Sequence, residues 1–414
     1  MLNPYSIRQD FPILDIVING KKLIYFDNAA TSQKPRQVIE AIRRFYTESN
    51  ANIHRGFHHL SQEASRLYEE AHDTVAEFIG ARGREEIVFV RNTTEALNLV
   101  AYAWGLKNLG EGDKVVITIM EHHSNFLPWF KIARHTGASV RVVDVNDEGR
   151  LRVDLLEEAI NEKTKLVAIA HMSNVTGVIN DVKAIAKIAH SMGARIVVDG
   201  AQSVPHIPVN VRDLGVDFLA FSGHKMLGPT GIGVLYVSEK VLEDMDTFLV
   251  GGDTIKEVHY RGRLEVIWHD MPWRYEAGTP NIVGGIGLAE AVKYLSRIGM
   301  ENIHRHEQEL VKYFFKRVEE EGFADKLKIL GPRSPEARGG IVSFTLGELD
   351  PHATAIMLDE EAIAVRSGFH CAQPLHERLG FSRGSVRASF YLYNTKEEID
   401  RFVEVLKSIV KQAP

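Results

Sequence analysis

Residues 195–237 read RIVVDGAQSVPHIPVNVRDLGVDFLAFSGHKMLGPTGIGVLYV, and this stretch indicates the fold. It contains three short, mostly apolar runs, Arg195–Asp199, Asp217–Ser222 and Gly231–Val237, separated by polar or Gly/Pro-rich connections. Apolar runs of this length, bounded by turn residues, are typical of strands buried on both faces of a sheet. The stretch therefore predicts consecutive strands of an α/β sheet.

The preceding residues extend the same pattern. Val115–Ile119, Val140–Val145 and Leu166–His171 are further candidate strands, and amphipathic stretches lie between them. One of these, Val182–Met192, predicts a helix that ends at Gly193. The alternation of strands and helices predicts a mostly parallel sheet covered by helices.

The pattern changes after about residue 295. Helical patterns now bracket strand-like runs; the helical stretches are 303–321, 353–359 and 396–411, and the strand-like runs are Gly340–Thr345 and Ser385–Tyr391. We predict a large domain at 21–295 and a small α+β domain formed by 1–20 and 296–414, because 414 residues exceed what one small core needs.

The composition is that of an ordinary globular protein, with 44% hydrophobic and 25% charged residues. A net charge of −6 argues against a nucleic-acid-binding protein, since no domain-wide positive field is present. No run approaches the roughly 18 apolar residues of a membrane span. The first residues, MLNPYSIRQD, lack a basic segment followed by an apolar one, so we expect a cytoplasmic protein without membrane or nucleic-acid partners.

Cys371 is the single cysteine, which excludes an intramolecular disulfide and disfavours a thiolate metal site. Taken alone, such a cysteine is most often a small buried hydrophobic residue. The His-rich stretch NIHRGFHH (52–59) permits a zinc interpretation, but no acidic or thiolate partner at ligand spacing supports it. We therefore predict no metal site.

Two polar residues follow strands that are consecutive in the sequence. Asp199 ends one candidate strand, and Lys225 follows the next one at Ser222. Taken singly, Lys225 is a solvated loop cation or a Schiff-base nucleophile, and Asp199 is a helix N-cap or a functional acid. A pyridoxal site needs both a lysine for the aldehyde and an acid that keeps the pyridine nitrogen protonated. The pair therefore predicts a pyridoxal phosphate site.

A phosphate-binding turn is predicted near Thr93 and Thr94. The strand Val88–Val90 leads through a turn into a helix start, where hydroxyls and free backbone N–H groups suit a phosphate dianion. A plain capping box explains the same residues equally well. Ser222 and His224 could complete such a cradle from the other side.

Ten motifs together resemble the cysteine desulfurases of the class V aminotransferase-like pyridoxal phosphate family. In chain order they are IYFDNAAT (24–31), NIHRGFHHLS (52–61), NTTEALNLVA (92–101), MEHHSNFLPW (120–129), SNVTGVIN (173–180), VDGAQS (198–203), FSGHKMLGPTGIG (221–233), RYEAGTPN (274–281), VRSGFHCAQPL (365–375) and VRASFYLYNTKEEID (386–400). The most similar subgroup is the SUF type, related to the selenocysteine lyases. The resemblance implies an aspartate-aminotransferase-like fold, with a mostly parallel seven-stranded sheet in a large domain and a small α+β domain, and it implies a homodimer.

The resemblance also implies a role for each matching residue. Lys225 would carry pyridoxal 5'-phosphate as a Schiff base, and Cys371 would carry the persulfide. The other implied cofactor contacts are Asp199 at the ring nitrogen, Gln202 at the ring hydroxyl, His122 stacked on the ring as a proton shuttle, Asn174 beside the other ring substituents, Thr94, Ser222 and His224 at the phosphate, and Thr279 at the phosphate of the second subunit. Implied contacts to the substrate are Arg387 at its carboxylate, together with Asn174, His54 and Arg366.

The segment before Cys371 departs from the family pattern at one residue and matches one subgroup in its length. Phe369 stands where the family often has histidine, which affects how the thiol is tuned. The short loop before Cys371 is typical of the SUF type, in which a protein acceptor usually receives the sulfur. The resemblance thus implies conversion of L-cysteine to L-alanine, with sulfur supplied through a SUF-type acceptor or scaffold for iron–sulfur cluster assembly. The alternatives are a selenocysteine lyase, another pyridoxal enzyme of this fold such as an aminotransferase, or a non-catalytic scaffold.

Overall fold

The computed structural model describes residues 2–412 as a central sheet between helices, followed by a smaller sheet. The strands are β1 (Val17–Ile18), β2 (Lys21–Lys22), β3 (Ile24–Tyr25), β4 (Ile87–Val90), β5 (Lys114–Thr118), β6 (Ser139–Val143), β7 (Thr164–Ala170), β8 (Arg195–Asp199), β9 (Phe218–Ser222), β10 (Gly233–Val237), β11 (Ile255–Tyr260), β12 (Leu264–Trp268), β13 (Leu327–Leu330), β14 (Ile341–Leu346), β15 (Ile363–Ala364), β16 (Arg366–Gly368) and β17 (Ser385–Ser389). The helices are α1 (Pro4–Arg8), α2 (Arg36–Arg44), α3 (His59–Ile79), α4 (Thr93–Leu99), α5 (Leu106–Asn108), α6 (Leu127–Thr136), α7 (Val153–Ala159), α8 (Val182–Ser191), α9 (Val211–Leu214), α10 (Ile282–Ile298), α11 (Met300–Glu320), α12 (Pro351–Asp359), α13 (Gln373–Arg378) and α14 (Lys396–Gln412).

The central sheet has seven strands in the order β4-β10-β9-β8-β7-β5-β6. Every pair is parallel except the two that β10 makes with β4 and β9. The predicted mostly parallel seven-stranded sheet is confirmed. Because β8 and β9 are parallel neighbours, Asp199 and Ser222, their last residues, lie at the same edge of the sheet.

Alternate residues of the central strands explain why the runs are apolar throughout. In β8, Ile196 and Val198 belong to a core cluster that includes side chains of α3, α8 and α10. Val197 points to the opposite face, into a cluster with Trp129 of α6 and Leu97 of α4. Helices therefore cover both faces, and a polar side chain within such a strand would be buried unpaired.

The C-terminal part forms a four-stranded antiparallel sheet in the order β13-β14-β17-β16, which packs against α11 and α14. The N-terminal residues contact this part: Arg8 donates to Glu398 at 2.6 Å, and β3 pairs in parallel with β15. Asp27 forms a further bridge to Ser389. These pairings bring the IYFDNAAT segment beside the Cys371 loop. Within residues 2–412, no helix is long and apolar enough to cross a membrane.

Candidate active site

A cavity of about 330 Å³ opens at the carboxyl ends of β8 and β9. It collects most of the site residues predicted from the sequence: Thr94, His122, Asn174, Asp199, Gln202, Ser222, His224, Lys225, Arg366, Cys371 and Arg387. Ligands bind at this edge in open α/β sheets, because loops leaving adjacent strands diverge there. The cavity is the candidate active site.

Lys225 lies at the end of the single helical turn Gly223–Lys225, directly after β9. Burial lowers the pKa of its amine to about 8, although the nearby Asp199 carboxylate acts in the opposite direction. Asp199 is 6% exposed and accepts a 2.9 Å hydrogen bond from the Ala201 N–H, and burial raises the pKa of its carboxyl group. The amine is therefore available as a nucleophile near neutral pH.

Several polar atoms around these two groups have no protein partner, which is the pattern expected around a ligand. Gln202 donates through Nε2 to the Ala29 carbonyl at 2.8 Å, while its buried Oε1 is unpaired. The buried Nε of Arg387 is also unpaired, although its NH1 donates to the Asn174 carbonyl at 2.9 Å. Buried polar atoms of this kind normally have partners. An amine, a carboxylate and unpaired amide and guanidinium groups together fit pyridoxal phosphate.

His122 lines the cavity as a neutral imidazole. Burial, and then the positive charge of Lys225, lowers its pKa to about 3. Its Nδ1 accepts a 3.1 Å hydrogen bond from the Ser124 N–H, so the proton of the neutral ring is on Nε2. A neutral ring with one fixed tautomer suits stacking and proton transfer better than a permanent cation would.

Hydroxyl groups gather at the start of α4, where Asn92 caps the helix. Thr93 bonds Ser222 through Oγ1 at 2.6 Å, and Thr94 bonds Ser124 at 2.7 Å. Burial lowers the pKa of His224, which lines the same cavity, to about 4. The residues predicted for the phosphate cradle, Thr94, Ser222 and His224, thus all line this cavity. Ser124, which the sequence analysis did not select, joins them and lies within the MEHHSNFLPW motif.

Cys371 is exposed at a turn between β16 and α13. Both His370 and Cys371 have positive φ angles, of 49° and 57°, a conformation that costs energy for residues other than glycine. Asn174 donates to the His370 carbonyl, and the His123 N–H donates to the Cys371 carbonyl, each at 2.7 Å. The turn therefore places the thiol at the cavity.

Asp27 orients both predicted substrate-binding arginines and was not selected from the sequence. It accepts a 3.0 Å hydrogen bond from Arg366, and Arg387 lies 3.7 Å from its other oxygen. Asp27 is part of the IYFDNAAT motif, but the two arginines that it contacts are more than 330 residues away in the sequence. Asp27 thus fixes two cations beside Cys371.

Two predicted site residues lie outside this cavity. His54 contacts the Trp273 ring, with 4.4 Å between ring centroids. Thr279 lines a second cavity of about 430 Å³ that also includes Arg91 and Glu95. The role predicted for Thr279 is in a neighbouring subunit, and it stays a prediction. Among residues 2–412, no group of three metal-binding side chains occurs.

Comparison with known proteins gives matches over nearly the whole chain. Residues 24–402 match the aminotransferase class-V family. A cysteine desulfurase of Haloferax volcanii is 50% identical, with 97% of this chain and 95% of that protein covered. A probable cysteine desulfurase of Halalkalibacterium halodurans is 48% identical, with 98% of each covered.

Solved structures agree with these relatives. The apo structure of a cysteine desulfurase from Thermococcus onnurineus NA1 matches with a TM-score of 0.93 at 45% identity, covering 100% of this chain and 99% of that one. A cysteine desulfurase from Escherichia coli matches with a TM-score of 0.90 at 35% identity, covering 100% of both. The predicted family and fold are confirmed, and the chain belongs to the aminotransferase class-V family.

Proposed function

We propose that this protein is a pyridoxal phosphate-dependent cysteine desulfurase that converts L-cysteine to L-alanine and retains the sulfur as a persulfide on Cys371. The observation that carries the proposal is that Cys371 lines the same cavity as Lys225 and Asp199. The names of the relatives support the same activity. A pyridoxal enzyme that only exchanged amino groups would not need a thiol there.

When bound to Lys225, the cofactor supplies an electron-withdrawing ring that stabilises negative charge on the substrate carbon. Lys225 holds its aldehyde and, as a free amine, moves the proton of the substrate Cα. Asp199 holds the proton on the ring nitrogen, and Gln202 has a free acceptor for the ring hydroxyl. Neutral His122 moves a proton at Nε2, and Asn174 positions the loop through the His370 carbonyl.

Cys371 receives the sulfur in the step that defines the reaction. Its thiolate forms an S–S bond with the substrate sulfur while the substrate C–S bond breaks, and the electron pair stays with the carbon skeleton. Protonation of that carbon completes alanine. Arg387 and Arg366 are held by Asp27 where they can bind the substrate carboxylate, a bidentate contact for which guanidinium is suited. His54 remains a proposed substrate contact.

The finer parts of the proposal concern the assembly. We propose a homodimer in which Thr279 reaches the neighbour's phosphate site, and the division into a large domain at 21–295 and a small domain formed by 1–20 and 296–414. The central sheet lies wholly within the first range and the four-stranded sheet wholly within the second. A SUF-type acceptor or scaffold, iron–sulfur cluster assembly and a cytoplasmic location complete the proposal.

Incubation with L-cysteine and a reductant, with alanine and sulfide both measured, tests the activity. We expect equal amounts of the two products from the unmodified protein and neither from Lys225→Ala. Cys371→Ala should lose sulfide and alanine but keep the absorbance of bound cofactor. If Cys371→Ala kept full alanine production, a lyase of the selenocysteine lyase type, which needs no thiol of its own, would replace the desulfurase. An aminotransferase would leave the C–S bond of L-cysteine intact and release neither product, and a protein that bound no cofactor would be a scaffold.

A further inference from the structure

One buried hydroxyl lies between two imidazole rings beneath the Cys371 turn. Oγ of Ser385, the first residue of β17, is 3.0 Å from Nε2 of His370 and 3.0 Å from Nε2 of His376. Ser385 and His376 are fully buried, and His370 is 8% exposed. We call these three side chains the Ser385 relay.

The outer end of the relay fixes the direction of every hydrogen bond in it. Nδ1 of His376 lies 3.0 Å from the Ala372 carbonyl, which can only accept, so this nitrogen carries a proton. In the neutral ring, Nε2 of His376 is then an acceptor for the Ser385 hydroxyl. The Ser385 oxygen in turn accepts from Nε2–H of His370. Nδ1 of His370 is left as a lone pair, and it is buried without a partner.

The electrostatic surroundings keep both rings neutral, as this pattern requires. Burial, followed by the charge of Arg387, lowers the pKa of His370 well below its usual value. Burial also lowers the pKa of His376. A second proton on either ring would place a cation beside Arg387 in surroundings that disfavour charge.

The relay holds a turn that is otherwise costly. His370 and Cys371 both adopt left-handed backbone angles, and such strain persists only where surrounding contacts impose it. Asn174 and the His123 N–H bind the two carbonyls, but the relay is the contact that holds the His370 side chain. This turn sets the position of Cys371, which lines the same cavity as Lys225, Arg366 and Arg387.

We infer that Ser385 is a positioning residue for Cys371: its hydroxyl fixes complementary neutral tautomers of His370 and His376, and His370 thereby holds the strained turn with the thiol among its three cationic neighbours. The inference rests on the proposed function only for the sulfur-carrying role of Cys371. The proton pattern and the reactivity of the thiol belong to the protein without cofactor as well.

Neutron diffraction from crystals of the unmodified protein tests the proton pattern directly. We expect deuterium on Nδ1 of His376 and Nε2 of His370, with the Ser385 deuterium directed at His376. Nδ1 of His370 should carry none. Deuterium on both nitrogens of His370, or on its Nδ1, would overturn the inference whatever the enzyme's activity proves to be.

The rate of iodoacetamide labelling of Cys371 in the apo protein tests the positioning. Cys371 is already exposed, so access does not limit its labelling. Cysteines that lie beside Lys and Arg side chains are in general the reactive ones, so displacing Cys371 from such neighbours should slow the reaction. Ser385→Ala leaves Nε2–H of His370 buried without an acceptor, which is costly. The ring should therefore move out of its buried position, and the backbone of the turn should shift with it. We expect labelling at least threefold slower.

Ser367→Ala is the matched control, because it removes an exposed 2.8 Å contact to His352 from β16, the strand that precedes the turn. Its labelling rate should stay within twofold of the unmodified protein. A Ser385→Ala protein that is folded and labels at the unmodified rate would refute the positioning role. If that variant does not fold, the neutron result decides the inference. If the unmodified protein shows no desulfurase activity, the proposed function is wrong, but the neutron and labelling tests of the inference still apply.

Discussion

At the scale of the residue, the amine of Lys225 should titrate far below an ordinary lysine. Burial favours its neutral form and lowers the pKa to about 8, compared with about 10.4 for an exposed lysine. We expect acetylation of the Lys225 side chain in the apo protein, followed by mass spectrometry, to rise with pH and level off with a midpoint near pH 8. A midpoint near pH 10 would mean that the amine is solvated.

Asp199→Asn is the control for this titration. The Asp199 carboxylate favours the charged amine, so its replacement by a neutral amide should move the midpoint to lower pH. Exposed lysines in the same sample should keep their midpoints. An unchanged Lys225 midpoint in the variant would show that the two groups do not interact.

The residues that could be predicted are those whose chemistry and strand position agree. Lys225 and Asp199 follow strands that are consecutive in the sequence, and such strand ends meet if the sheet is parallel. The strand, turn and helix pattern does not distinguish Thr93 from Thr94, and only the resemblance selects Thr94; in the structure, Thr93 is bonded to Ser222 whereas Thr94 bonds Ser124. Which hydroxyl meets which neighbour depends on side-chain packing between distant segments, and local sequence does not specify that.

At the scale of the element, the contact between β10 and the start of α4 should control cofactor affinity. A Cβ at Gly233 would lie 2.6 Å from Cα of Asn92, the cap of α4. Gly233→Ala should displace the helix start and its hydroxyls, since overpacking costs about 1–3 kcal/mol. We expect the Kd for pyridoxal phosphate, measured by absorbance titration, to rise about tenfold, which is about 1.4 kcal/mol.

Gly251→Ala provides the comparison, because a Cβ there would have no atom within 4 Å. Its affinity for the cofactor should equal that of the unmodified protein. Circular dichroism should show that both variants are folded. Unchanged affinity in a folded Gly233→Ala protein would contradict a role for the α4 start in holding the phosphate.

Glu276 joins α3 and β4 to the segment that carries Thr279. It is 5% exposed and accepts from the Tyr68 hydroxyl at 2.6 Å and the Phe89 N–H at 2.6 Å, with Nε2 of His72 at 2.8 Å. Glu276→Gln replaces one accepting oxygen with a donating NH2 group, so the Tyr68 hydroxyl or the Phe89 N–H loses its acceptor, and one unmatched buried group costs about 1–3 kcal/mol. We expect the free energy of unfolding, from urea denaturation, to fall by about that amount.

The exposed pair of Glu257 and His259 serves as the control for the effect of burial on stability. Glu257→Gln removes the negative charge from the 2.9 Å contact with His259, where both side chains are exposed. Exposed pairs contribute about 0–1 kcal/mol, so this variant should unfold close to the unmodified protein. If Glu276→Gln and Glu257→Gln lowered the free energy of unfolding equally, the buried contacts of Glu276 would contribute no more than an exposed ion pair.

Elements were predictable where both faces of a strand are buried. Arg195–Asp199 was predicted with the bounds of β8, and the other predicted strands of the central sheet differ from the observed ones by at most two residues at either end. The hairpin of β11 and β12 was not predicted, because its residues are largely exposed and mix polar with apolar side chains. Its strands pair only with each other, so no core imposes a pattern on their sequence.

At the scale of the whole molecule, the pairing of β3 with β15 joins segments almost 340 residues apart. Each strand has only two residues, which is too short for a periodic signal. Yet this pairing brings Asp27 to Arg366, which lines the cavity together with Cys371. The family resemblance predicted which residues share the site, and the structure adds the connections that hold them there.

The proposed dimer makes a prediction that separates shared sites from independent ones. Thr279 lies outside the cavity that contains Lys225 of its own chain, and we propose that it contacts the neighbour's phosphate. Thr279→Asp would place a negative charge against that phosphate. Lys225→Ala and Thr279→Asp proteins should each be inactive. After unfolding and reassembly of an equal mixture, half of the dimers should contain one chain of each kind.

In such a mixed dimer, the chain with intact Lys225 receives an intact Thr279 from its partner, so one of its two sites is complete. We expect the mixture to recover about a quarter of the unmodified activity, measured as alanine and sulfide release. A mixture of Lys225→Ala with Asp199→Ala should stay inactive. Lys225 and Asp199 line the same cavity, so each chain of a mixed dimer carries a substitution in its own cavity and neither site is complete. If native mass spectrometry finds mixed dimers and the first mixture is also inactive, Thr279 acts within its own chain and the sites are independent.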